Sequence, residues 1–91
     1  MKVRWFNIPN KQKPGRLFIE SDSKNKLTYH VSMILSNNII EGYRLVREDG
    51  NSWYEVRKKN YSTTCSCPAF KLNTKTCKHI RAINTLYTRG K

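Results

Sequence analysis

The chain has 91 residues, with 18 Lys and Arg against 6 Asp and Glu, and a net charge of +12. This length makes one small domain with a marginal core, and so large a positive charge favours polyanions as partners. The cysteine count of three is odd, which speaks against a secreted disulfide framework.

In chain order, Lys2-Val3-Arg4-Trp5-Phe6 predicts a short strand. Asn7 to Gly15, with Pro9, Pro14 and Gly15, predicts a loop. Arg16 to Glu20 predicts a second strand, and Ser21 to Lys26 a turn. Leu27 to Leu35 fits two periods. Leu27, Tyr29, Val31, Met33 and Leu35 alternate as in a strand, while Leu27, Val31, Ile34 and Leu35 also fit one helix face. The strand is the reading adopted for an otherwise undecided segment. Asn37-Asn38 predicts a turn, Ile39 to Glu48 a strand with an interruption at Gly42, and Asp49-Gly50 a hairpin turn. Ser52 to Lys58 is the return strand, with Tyr54 and Val56 on one face and Trp53, Glu55 and Arg57 on the other. A further strand is expected over Tyr61 to Cys65 and a helix over Lys78 to Thr88, ending near Gly90.

All three cysteines belong to one pattern, Cys65-x-Cys67, nine residues, Cys77-x-His79. Strand residues two apart point to one face, so Cys65 and Cys67 aim both thiolates at one point. On a helix, residues two apart diverge by about 200°. Cys77 is therefore expected at or before the N-cap and His79 in the first turn, on the apolar arc of Ile80, Ile83, Leu86 and Tyr87. Three thiolates and an imidazole suit one structural, tetrahedral Zn²⁺. A cysteine nucleophile with His79 as base fits three converging thiols less well. Pro68 is expected to end the strand, and Phe70, in a loop from Pro68 to Thr76, to shield the sulfurs from water.

Cys65-Ser66-Cys67-Pro68-Ala69-Phe70 followed by Cys77-Lys78-His79-Ile80 resembles a SWIM-type zinc finger, as does the hairpin with Trp53-Tyr54-Glu55-Val56 ahead of it. The resemblance covers roughly residues 39–88 and all four ligands. It implies a ββα zinc module that binds DNA or a protein. The expected fold is α+β, a small antiparallel sheet with a C-terminal helix joined to it by zinc. Residues 1–38 are expected as a basic N-terminal arm and β-rich or helix-containing extension, and 39–91 as the SWIM-like module, together one compact domain.

Residues 57–91 carry nine basic residues and no acid, and residues 1–19 carry five and no acid. Lys71, Lys75, Lys78 and Arg81 are the foremost phosphate-contact candidates, with Arg57, Lys58 and Lys59 extending the surface. The function expected is non-enzymatic binding of nucleic acid, DNA before RNA, with a protein-interaction adaptor as the alternative. No carboxylate pair, phosphate loop or nucleophile–base pair outside the zinc set points to an enzyme or a small-molecule substrate. No apolar stretch approaches the ~20 residues of a membrane span. An intracellular setting is expected, cytoplasmic or nucleoid/nuclear. Trp53, Trp5, Phe6 and Phe18 are expected in the core; an exposed Trp53 would be able to stack a base. His30 has no ligand-spaced neighbour.

Overall fold

A computed structural model describes residues 1–58, 62–72 and 77–88. Six strands form one antiparallel sheet in chain order: β1 (Lys2–Asn7), β2 (Gly15–Glu20), β3 (Lys26–Ser36), β4 (Ile39–Arg47), β5 (Trp53–Lys58) and β6 (Thr63–Cys65). Two helices follow, α1 (Pro68–Leu72) and α2 (Lys78–Thr88). Each strand pairs with the next, so every strand-to-strand connection is a turn or short loop.

The undecided segment Leu27 to Leu35 is strand throughout. Pairing decides it: β3 bonds to β2 on one side (Leu17↔Tyr29) and to β4 on the other (Val31↔Leu45). A helix would leave both neighbours without hydrogen-bond partners. The β3–β4 hairpin turns at Asn37 and Asn38, whose φ values of 49° and 67° are the left-handed pair that a two-residue turn needs. β4 is not broken at Gly42. A register shift between Ile34 and Leu35 leaves Glu41 unpaired as a bulge, and the strand continues. Asp49-Gly50 turns the chain as expected, with Gly50 at φ 78°.

One face of the sheet carries the core. Trp5, Leu17, Ile19, Tyr29, Val31, Tyr43, Leu45 and Val56 are buried there and join Ile80, Ala82 and Ile83 of α2 in a single cluster. α2 lies across several strands. At its far end Thr85 Oγ1 accepts a hydrogen bond from Trp5 Nε1 at 2.8 Å, and Tyr87 and Tyr43 bond through their hydroxyls at 3.3 Å. The helix is thus anchored to strands from both halves of the chain, beyond the zinc-linked end that the sequence suggests.

The opposite face has no such cover. Trp53 is 57% exposed and Phe6 45% exposed on it, and Phe18 is only half-buried. The expectation that these rings lie in the core is corrected. An 11-residue helix covers one side of the sheet only, and strand alternation sends Trp53 to the other. Trp5 does enter the core.

Gly42 is buried where β4 passes β5, and a Cβ there would run into the carbonyl oxygen of Val56. Gly42→Ala is expected to destabilise the fold by about 1–3 kcal/mol, read as a lower urea midpoint with the zinc stoichiometry retained.

Candidate metal centre

The hairpin end and the start of α2 bring four donors together. Cys65, Cys67, Cys77 and His79 are all buried, and their ligand atoms lie within 4.8 Å of one another. His79 Nδ1 faces the sulfurs, 3.7 Å from Cys65 Sγ and 3.9 Å from Cys77 Sγ. Tetrahedral zinc with Zn–S near 2.3 Å and Zn–N near 2.0 Å separates its donors by about 3.5–3.8 Å. The donor set fits one such ion, with His79 Nδ1 already at that spacing from two sulfurs and the widest-set donors closing in by up to about 1 Å.

Local backbone geometry explains the convergence. Cys65 ends β6, where it pairs with Val56. The N–H of Cys67 turns back to the Cys65 sulfur. Cys67 then opens α1, since its carbonyl accepts from Lys71 N at 3.3 Å. Its sulfur also receives the N–H of Phe70. Cys77 opens α2 in the same way: its carbonyl accepts from Arg81 N at 3.0 Å, and its sulfur receives the N–H of Ile80. Both cysteines are therefore N-caps, with sulfur in place of the usual side-chain oxygen. Helix N-terminal N–H groups favour negative charge at both sulfurs.

Pro68 ends the strand, as expected, but it also occupies the first position of α1, where its missing N–H costs nothing. The predicted loop from Pro68 is thus a helix as far as Leu72. Phe70 is half-buried against the cluster that contains the three cysteines.

Ionisation is uneven across the set. A hydrogen bond from the Cys65 thiol holds Cys77 low, at about 4, helped by His79 and the Ile80 N–H. Cys65 is pushed up because its proton is held on Cys77, and by burial. Burial is the main cause of the rise at Cys67. Three buried thiols cannot all ionise beside one another without a cation, and Zn²⁺ supplies that charge.

Two tyrosines complete the site, and the sequence pattern did not mark either. Tyr29 on β3 is fully buried, and its hydroxyl lies 3.0 Å from His79 Nε2. A ring that binds metal through Nδ1 carries its hydrogen on Nε2, so His79 donates to Tyr29 Oη. Burial raises the Tyr29 hydroxyl pKa and keeps it neutral. Tyr54 on β5 packs over the His79 ring at 4.6 Å, while Tyr29 meets it edge-on at 5.4 Å. Tyr29 at Nε2 and Tyr54 across the ring face thus fix the orientation of the imidazole.

A family model, the SWIM zinc finger, matches residues 45–87, from within β4 to the end of α2. The segment is a SWIM zinc finger. It is a zinc-binding module of nucleic-acid or protein interaction, and its Cys65, Cys67, Cys77 and His79 cluster is the place for one structural zinc ion. No curated protein and no solved structure matches the chain.

The basic candidates scatter around the finger. Lys71 on α1 and Arg81 on α2 are exposed, and Lys78 is half-exposed. Arg57 and Lys58 point to opposite faces of β5. Arg57 pairs with Glu55 at 3.1 Å and Glu41 at 3.5 Å on the open face, whereas Lys58 Nζ sits 3.8 Å over the Tyr87 ring. Lys59 and Lys75 lie outside the described residues. Among the described residues, no helix is long and apolar enough to cross a membrane.

Tyr29→Phe keeps the packing and removes only the hydroxyl partner of His79. It is expected to weaken zinc affinity about 10–100-fold in a competition titration with a chromophoric chelator, with little change in the fold. Cys77→Ser should abolish stoichiometric zinc altogether in the same titration.

Proposed function

We propose that this chain is a non-enzymatic zinc-finger protein that binds DNA through the basic surface of its SWIM module. The observation that carries the reading is the placement of Lys71, Lys78 and Arg81. Among the described residues no carboxylate lies within ion-pair distance of any of them, and the nearby Asp22, which feels the charge of Arg81, is held by the N-terminal ammonium. Lys78 and Arg81 also sit in the first turn of α2, which holds no acid. Cations there oppose the helix dipole at a cost of about 0.3–1 kcal/mol each, and a bound phosphate would reverse that cost. Zinc acts here by fixing the helix starts that carry these side chains, with no part in chemistry. Double-stranded DNA is the target adopted, in an intracellular setting.

A protein-interaction adaptor is the second reading. It is favoured by the β3–β4 hairpin tip, where Leu35, Ile39 and Ile40 are exposed together.

A salt titration separates the two. Duplex affinity is expected to fall by about 10³-fold between 50 and 200 mM salt, as six or so phosphate contacts would require. A Lys71→Glu, Arg81→Glu double variant should lose at least about tenfold at the lower salt. Duplex affinity flat in salt, or unchanged in the double variant, would sink the DNA reading.

A further inference from the structure

Strand register lines up a row of side chains across the uncovered face of the sheet. Phe6, at the β1 irregularity, is followed by Arg16, His30, Val46 and Trp53, one from each of five adjacent strands. Strands are spaced about 4.8 Å apart, so the row spans about 19 Å. None of its members is buried. An exposed aromatic ring stands at each end.

Both rings are dressed by guanidinium groups. Arg16 lies 5.1 Å and Arg4 5.5 Å from the Phe6 ring, and the Phe18 ring is 6.5 Å away. Arg44 lies 5.2 Å from the Trp53 ring. Glu48 holds Arg16 at 3.0 Å and Glu55 holds Arg44 at 2.9 Å, so these cations are fixed in place. Over the whole face Lys2, Arg4, Arg16, Lys26, Arg44 and Arg57 outnumber Glu20, Glu41, Glu48 and Glu55. The surface is positive, flat and tipped with aromatic rings.

That chemistry fits unstacked bases joined by phosphates. A duplex hides the faces of its bases, whereas a single strand can lay them on exposed rings while cations meet the backbone. We propose that this open sheet face is a stacking platform for single-stranded DNA, with Trp53 and Phe6 each receiving a base and Arg4, Arg16 and Arg44 meeting phosphates. The platform stands on its own geometry, and only the choice of DNA over RNA rests on the function proposed above. It lies on the opposite side of the sheet from α2, so duplex and single strand would occupy separate surfaces.

The test uses the full zinc-loaded chain with three probes: an oligothymidylate, an oligouridylate of equal length and a duplex. Trp53→Ala and Phe6→Ala should each weaken oligothymidylate binding about 5–100-fold and leave duplex affinity and zinc stoichiometry unchanged. Trp53→Phe, which keeps a ring, should retain most of it. The Lys71→Glu, Arg81→Glu variant should show the reverse pattern, losing duplex and keeping oligothymidylate. Failure of the unaltered chain to bind the duplex while it still binds oligothymidylate would count against the function proposed above and leave the platform standing. Oligothymidylate affinity unmoved by both alanine variants would overturn the platform, and tighter binding of the oligouridylate would overturn the choice of DNA.

Discussion

Cys67 and Cys77 each serve as a metal donor and as the cap of a helix, and the finger depends on that double use. Their carbonyls start α1 and α2, and their sulfurs take N–H groups from the first turns of those helices. Neither helix carries an acid in its first turn. The sulfurs thus supply the negative charge that a helix start favours, and the zinc supplies the charge that lets buried thiols ionise. Apparent zinc-binding free energies of about 10–16 kcal/mol make such a site a large contributor in a domain of this size.

The sheet contributes to the site as well. His79 is oriented from behind by Tyr29, which belongs to β3, fifty residues earlier, and is stacked by Tyr54 of β5. Strands on both sides of residue 39 therefore hold one imidazole. α2 in turn reaches from β6 at its start to Trp5 of β1 at Thr85. The ion joins β6, α1 and the start of α2, while the body of α2 is fastened by apolar burial of Ile80, Ala82 and Ile83. Loss of the metal should accordingly be felt most at the former and least at β1 to β4.

Much of this was legible in the chain. Period-two alternation placed the strands, Asn37-Asn38 and Asp49-Gly50 placed the turns, and the Cys-x-Cys and Cys-x-His spacing placed the donors on the elements that hold them. The unreadable parts share a cause, which is dependence on distant partners. Leu27 to Leu35 satisfies two periods, and only pairing with β2 and β4 selects one. α1 is too short to show a period, and Pro68 reads equally as a stop or as a helix start. Tyr29 looks like any alternating core residue until His79 is set against it. Trp53 reads as core because tryptophan is usually buried, but neither helix among the described residues covers its face.

One zinc ion draws two capped helix starts together and ties them to the sheet edge, over a sheet that holds itself together. Amide hydrogen exchange with and without a chelator tests this most directly. Removing zinc is expected to speed exchange at Cys67, Phe70, Lys71, Ile80 and Arg81 by orders of magnitude, while the paired amides of β2, β3 and β4 keep most of their protection. Uniform loss of protection across the chain, or no change at the two helix starts, would contradict it.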